Sequence, residues 1–300
     1  VILSKILTRG YIMSEEKFKL GIVGHGFVGK AVDYGFTHRD VEMFYVDPLY
    51  NTSIDDLVEW QPNITFICAP TPMDDTGVVN ATIVEDAVLK LIQHTKSGIA
   101  IKSTVTPDVM QRLAFTASQL GADGRFVYNP EFLTENNSKA EFVSPKFNIF
   151  GGTLEAIDGL LWAYDVFSMC NMEKVVRMSP VEAAFAKYAI NSFLATKVTF
   201  FNQLYDASES MNVSYKRILR GIEADPRIGG SHTKVPGFDG KRGFGGACFP
   251  KDTKAFNKAF NRFTLLDNVV TINNEYRKEY NLDDREKAQN INYETKGNDT

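Results

Sequence analysis

The strongest constraint on the fold lies near the start of the chain. Lys19-Leu20-Gly21-Ile22-Val23 reads as a short buried strand, and Gly24-His25-Gly26-Phe27-Val28-Gly29 follows without a gap. Lys30 to Phe36 continues in a helical pattern, and Val41 to Val46 reads as a second strand ending in Asp47. This is G-x-G-x-x-G between strand and helix, with an acid 18 residues past Gly29. Each part has a task at a dinucleotide. Gly24 makes the tight turn, Gly26 lets backbone approach a pyrophosphate, and Gly29 allows close helix–strand packing. The helix N-terminus turns N–H groups and a positive dipole end toward phosphate. Asp47 would accept from ribose hydroxyls, which favours NAD over NADP. A glycine-rich turn that binds nothing explains the glycines alone, but not the acid and the second strand.

The same alternation continues. Strands are expected at Asn63–Ala69, Ile99–Lys102, Arg125–Tyr128 and Asn148–Phe150, with a helix capped by Asn80 and another opened by Thr106-Pro107-Asp108. Strands alternating with helices predict an α/β fold with a doubly wound, Rossmann-type parallel sheet. Thr71, Ser103, Thr104, Glu131 and Glu135 all follow strands. Ligands of open α/β sheets bind at those carboxyl ends. Any one of the five alone is better explained as a loop residue capping a helix. Cys68, inside an apolar strand, and Cys170, among Phe167, Met169 and Met172, read as structural.

Ser179-Pro180-Val181-Glu182 opens a long helix running to about Glu209, with a cap, a proline at the first position and a capping box. A helix of that length commonly joins domains or builds a dimer interface. Lys187 and Asn191, four apart, share one of its faces among Ala183, Ala184, Tyr188 and Ile190. A lysine there either snorkels to solvent or faces a developing oxyanion with Asn191 as a second donor. Further helices are expected at Tyr215–Ile222, Lys251–Phe260 and Leu265–Arg277. A loop-rich stretch from Gly229 to Gly246 carries Lys234, Lys241 and Arg242, which suits a phosphorylated substrate or simply a solvated surface. It ends in Gly243-Phe244-Gly245-Gly246-Ala247-Cys248-Phe249-Pro250-Lys251-Asp252. A thiol after small residues, with a cation and a carboxylate close behind, is either a nucleophile or a buried cysteine in a tight turn.

Composition narrows the classes. A net charge of −4 offers no basic face for nucleic acid. Three cysteines, widely spaced, argue against a disulfide framework or a zinc site and suit a reducing compartment such as the cytoplasm. No apolar run approaches a membrane span, so no membrane partner is expected, and the same cysteine spacing leaves no metal expected. The expected division is an N-terminal extension over 1–17, an NAD-binding Rossmann domain over 18–178, a helical central and dimerisation domain over 179–277, and a polar tail over 278–300. Met13 is the expected natural start.

In their order, these motifs resemble the UDP-glucose/GDP-mannose dehydrogenase family. The matching segments are Gly24 to Gly29, Ala69-Pro70-Thr71-Pro72, Ser103-Thr104-Val105, Asn129 to Glu135, Lys187 to Lys197, and Phe244 to Asp252. The resemblance implies NAD as cofactor, held by the glycine turn with Asp47, Thr71, Pro72, Ser103, Thr104 and Glu135. It implies a four-electron oxidation of the C6 alcohol of a sugar nucleotide, UDP-glucose to UDP-glucuronate, or the same chemistry on GDP-mannose or a UDP-N-acetylhexosamine. It makes Cys248 the nucleophile, with Lys187 and Asn191 stabilising oxygen charge. Asp252 and Glu131 assist proton transfer, and Thr104 helps hold water. Glu131, Phe132, Leu133, Lys187, Asn191, Phe244, Gly245 and Gly246 would line the sugar nucleotide, with Arg227 offered to it across a homodimer. Family members carry a further C-terminal α/β domain, and nothing after Arg277 patterns as βαβ. An NAD-binding homologue without catalysis is therefore the alternative.

Overall fold

The computed structural model describes residues 16–74, 76–134, 137–260 and 263–293. The expected start at Met13 and the expected site residue Glu135 lie outside the described residues. The chain divides into two compact units, and the boundary falls inside the long helix. One holds the chain up to Thr71 and Ala81–Lys187; the other holds Pro72–Asn80 and the chain from Tyr188 onward.

The first unit is built on a sheet of seven strands in the order β2-β1-β3-β4-β5-β6-β7. They are β1 (Phe18–Val23), β2 (Val41–Val46), β3 (Ile64–Ile67), β4 (Gly98–Ile101), β5 (Phe126–Tyr128), β6 (Asn148–Gly152) and β7 (Val175–Met178). The helices between them are α1 (Phe27–Gly35), α2 (Ile54–Trp60), α3 (Thr82–His94), α4 (Pro107–Gln119), α5 (Ser138–Val143) and α6 (Leu154–Phe167). β1, β3 and β4 lie inside the sheet and are almost wholly buried, as their continuous apolar runs require. The strand order reverses between β1 and β3, and α/β sheets bind ligands at such a point.

Two features depart from the sequence expectation. β6 runs antiparallel to β5, whereas the other pairs are parallel. Residue patterning reports which face is buried and carries no strand direction. β7 was not expected at all: it is an edge strand, only partly buried, and Arg177 in it breaks the apolar run. One helix start shifts by a residue: Ala81 rather than Asn80 is the N-cap of α3. Thr106 is the N-cap of α4 as expected, though without a side-chain cap bond.

The long helix α7 spans Pro180–Ser210. Its capping box is formed: the Ser179 N–H donates to Glu182 at 2.7 Å, and the Glu182 N–H donates to the Ser179 hydroxyl at 3.3 Å. Gly151 allows its start to approach the sheet, since a Cβ there would lie 2.7 Å from the Pro180 Cα.

The second unit holds most of α7, then α8 (Tyr215–Glu223), α9 (Phe249–Ala259), α10 (Thr264–Arg277) and α11 (Asp284–Ala288). A hairpin-like segment with a Met73–Val79 bridge belongs to it. The stretch expected as a polar tail from 278 carries α11, and Glu286, Ile291 and Tyr293 within it are buried. Ile291 and Tyr293 pack on Met73. Among the described residues, no helix is long and apolar enough to cross a membrane.

Candidate active site

In the first unit the glycine turn has the geometry its spacing predicts. Gly24 sits at φ +88°, and a Cβ there would lie 2.8 Å from backbone atoms of Cys68 and Ala69. A Cβ on Gly29 would fall 2.1 Å from the Gly24 carbonyl oxygen. Both glycines are obligatory for packing. Gly26 differs: a Cβ there would meet nothing within 4 Å. Its open side at the N-cap of α1, beside helical N–H groups that have no intrahelical acceptor, fits a pyrophosphate.

Asp47 ends β2 and accepts two backbone N–H groups, from His25 at 2.8 Å and from Leu49 at 3.0 Å. Burial pulls its pKa up, but these bonds and the nearby His25 and Lys30 outweigh it, so the carboxyl sits below the ordinary range. A carboxylate has about four acceptor sites, so two bonds leave capacity for ribose hydroxyls. Sequence reasoning did not foresee what His25 does. Its ring is buried, with Nε2 3.2 Å from the Asp33 carboxylate and Nδ1 2.8 Å from the Tyr50 hydroxyl. The Tyr45 hydroxyl donates to Asp33 at 3.0 Å, and its ring stacks on Tyr50 with centroids 5.0 Å apart. The turn and the end of β2 are thus fastened by side chains whose spacing carried no signal.

Thr71 and Ser103 bind backbone. The Thr71 hydroxyl donates to the Thr104 carbonyl at 2.7 Å, and the Ser103 hydroxyl donates to the Ala69 carbonyl at 2.7 Å. They stitch the segments after β3 and β4 together. Glu131 is buried after β5; one carboxylate oxygen accepts the Leu133 N–H at 2.7 Å. Lys187, buried on α7, reaches it: Nζ donates to the Glu131 carbonyl at 2.5 Å and lies 3.2 Å from its carboxylate. The ammonium also lies 5.0 Å from the Phe132 ring centre. Lys187 therefore does not snorkel to solvent. A buried ion pair of this kind persists because removing either member strands the other charge.

In the second unit Cys248 is half-buried at the N-cap of α9, and its carbonyl accepts the Asp252 N–H at 2.8 Å. Asp252 is buried and accepts from two donors, Asn191 at 2.6 Å and Lys251 at 2.7 Å. Asn191 extends from α7 one turn beyond Lys187. Phe244 is fixed through its backbone: its N–H donates to the Asn273 side-chain oxygen at 2.6 Å, and its carbonyl accepts from the Asn273 amide at 3.0 Å. Gly243 and Gly246 take φ values of +71° and +78°. Arg227 is 87% exposed and forks onto Asp225 at 2.6 Å. Pro72 belongs to the second unit, in the segment that bridges Met73 to Val79. Among the described residues no group of three or more His, Cys, Asp or Glu could hold a metal ion.

Sequence reasoning also missed Lys251 as a partner of Asp252, and the side chains that clamp the glycine-rich loop. A trace of the latter was present in Asp283-Asp284-Arg285-Glu286, which has capping-box spacing.

Two family models match this chain. The UDP-glucose/GDP-mannose dehydrogenase family NAD binding domain matches residues 49–164, and the central domain of the same family matches residues 181–275. The chain belongs to the UDP-glucose/GDP-mannose dehydrogenase family. It is 31% identical over 289 residues to the UDP-glucose 6-dehydrogenase of Rickettsia typhi, covering 84% of this chain and 65% of that protein. It is 30% identical over 238 residues to the Rickettsia bellii UDP-glucose 6-dehydrogenase, covering 77% of this chain and 51% of that protein. The chain thus spans between half and two thirds of the length of these relatives. Among solved structures, a UDP-glucose dehydrogenase from the archaeon Pyrobaculum islandicum superposes with a TM-score of 0.73 at 25% identity, over 89% of this chain and 70% of that one.

Proposed function

We propose that this chain carries out the NAD-dependent, four-electron oxidation of the C6 alcohol of a sugar nucleotide, with UDP-glucose converted to UDP-glucuronate. Support comes from the family and from relatives named UDP-glucose 6-dehydrogenase. The observation that carries the chemistry is the buried Asn191–Asp252–Lys251 cluster, whose Asp252 lies one helical turn after Cys248. Such a cluster is costly to bury unless its groups are needed or fully paired.

Bound NAD supplies the two-electron acceptor, used twice per product. Glu131 takes the proton of the C6 hydroxyl as the first hydride leaves, giving an aldehyde. The Cys248 thiolate adds to the aldehyde carbon, and the oxyanion of the thiohemiacetal is held by the Lys187 ammonium and the Asn191 amide. Loss of a second hydride leaves a thioester on Cys248. Water held with the help of Thr104 attacks it, and the thiol leaves as the carboxylate forms. Asp252 orients the Asn191 amide and takes part in proton transfer at the thiol. Losing one oxyanion donor typically costs about 10²–10³ in rate. A reactive thiol used in this way fits a reducing, cytoplasmic setting.

A homodimer through α7 is part of the proposal. Phe193 and Phe200, seven residues apart on that helix, are 67% and 59% exposed, which suits burial against a second copy. Such a copy would bring Arg227 to the substrate.

The test is NADH release across UDP-glucose, GDP-mannose and UDP-N-acetylhexosamines. Two NADH per sugar are expected with UDP-glucose, and Cys248→Ala should abolish net turnover. Undiminished NADH production by that variant would refute the covalent route. A chain that binds NAD and oxidises none of these would be a non-catalytic homologue.

A further inference from the structure

We propose that Glu286, in the stretch that the sequence presents as a tail, is a positioning residue for the Cys248 loop; the consequence for turnover rests on the function proposed above. Glu286 is 0% exposed. Its Oε1 atom gathers three donors: the Gly246 N–H at 3.1 Å, the Arg277 guanidinium at 2.7 Å and the Tyr293 hydroxyl at 2.7 Å. The other oxygen accepts the Asp283 N–H at 2.9 Å and closes the capping box of α11. Arg277, itself 1% exposed, also reaches Asp239 at 2.7 Å. The pair sits directly beneath Gly245, where a Cβ would lie 2.1 Å from the guanidinium and 2.6 Å from the carboxylate.

A stabilising ion pair alone would need none of this contact with the loop. Gly246 lies two residues before Cys248 in a left-handed conformation, and its N–H is one of the few handles such a loop offers. A carboxylate on that N–H fixes the approach of the backbone to the N-cap of α9. Charge-assisted bonds of this type are stronger than neutral ones, so the carboxylate suits the role. The thiol is presented by a loop held from below by Glu286, 38 positions downstream of Cys248.

The experiment uses the full chain and measures alkylation of Cys248 by iodoacetamide, read by peptide mass spectrometry from acid to alkaline pH, together with melting temperature. Glu286→Ala should raise the Cys248 labelling rate by about tenfold by freeing the loop. Glu286→Gln keeps an oxygen for the Gly246 N–H and should return labelling to within about twofold of the parent. Leu266→Ala, which loosens the same unit through a different cluster, sets the level of general destabilisation. Equal Cys248 labelling in the parent and Glu286→Ala would overturn the proposal. So would equal acceleration by Leu266→Ala at a matched loss of melting temperature. If Glu286→Ala does not fold, Tyr293→Phe, which removes one donor from the same oxygen, must accelerate labelling, and an unchanged rate overturns the proposal. Labelling needs neither NAD nor a sugar nucleotide, so it separates this inference from the proposed reaction. With activity in hand, Glu286→Ala should lower kcat and leave KM near the parent value.

Discussion

Lys102 shows how far a residue's role can depart from its place in a pattern. The sequence ends a strand with it. The structure buries it, with Nζ donating to the carbonyl and side-chain oxygens of Asn129, both at 3.0 Å, and Tyr164 donating to that same side-chain oxygen. Burial pushes its pKa down to about 8, against the pull of Cys68, Glu131 and Cys170 and with a small push from Lys187. The unfolded chain therefore holds a proton that the folded chain gives up between pH 8 and the ordinary value of 10.5. Stability rises with pH wherever the unfolded state binds more protons. Below about pH 8 the buried charge costs stability, and the cost is relieved as pH climbs through that window. Denaturant titrations should show the parent gaining on Lys102→Met between pH 8 and 10; parallel curves would refute the assignment. The place of Asp47 at the end of β2 was legible because the strand that precedes it carries its own apolar pattern. The roles of Lys102 and His25 were not, because no spacing rule announces their partners, Asn129 for the one and Asp33 and Tyr50 for the other.

Elements announced themselves according to how much local chemistry they carried. α7 was readable from end to end because its capping box, first-turn proline and apolar face lie within the helix itself. β7 escaped because an edge strand has little to bury and so little pattern. α11 escaped because composition outweighed a correct capping box, and because Met73, on which the flanking Ile291 and Tyr293 pack, lies more than two hundred residues away. Its key acid yields a prediction. Burial raises the pKa of Glu286, but bonds from Asp283, Tyr293 and Gly246 and the Arg277 charge outweigh this and hold it below its ordinary 4.5. A group lowered on folding stabilises above its unfolded value and loses that contribution as pH falls through the folded one. Melting curves should show the parent's advantage over Glu286→Gln at neutral pH, shrinking as pH drops below about 4.5. An advantage that grew toward acid would contradict the geometry.

At the scale of the whole molecule, each unit holds its own share of the residues in the proposed chemistry. The glycine turn and Asp47 belong to the first, Cys248 and Asp252 to the second, and α7 contributes Lys187 to one and Asn191 to the other. NAD recognition should then be separable from thiol chemistry. Saturating NAD, at about a hundred times its dissociation constant, should stabilise the chain by about 2.7 kcal/mol. Differential scanning calorimetry should find that shift kept in Cys248→Ala and reduced in Asp47→Ala; equal shifts in both variants would place cofactor recognition elsewhere. The mostly parallel sheet and the long helix after it were legible, since periodicity and motif order encode them. The assignment of Pro72–Asn80 to the second unit was not, because it is made by contacts with residues more than two hundred positions away.

The clamp on the Cys248 loop also bears on how the protein is made. A chain leaves the ribosome from its N-terminus, and its parts fold as they emerge. The glycine sheet can close early, but Gly246 has no carboxylate to bind until Glu286 and Tyr293 have been synthesised. The thiol's loop is therefore among the last parts of the described chain to take its final shape. A nascent chain can carry a finished nucleotide fold before the Cys248 loop is set, so the chemistry proposed for that thiol would wait until synthesis has passed the residues that hold the loop.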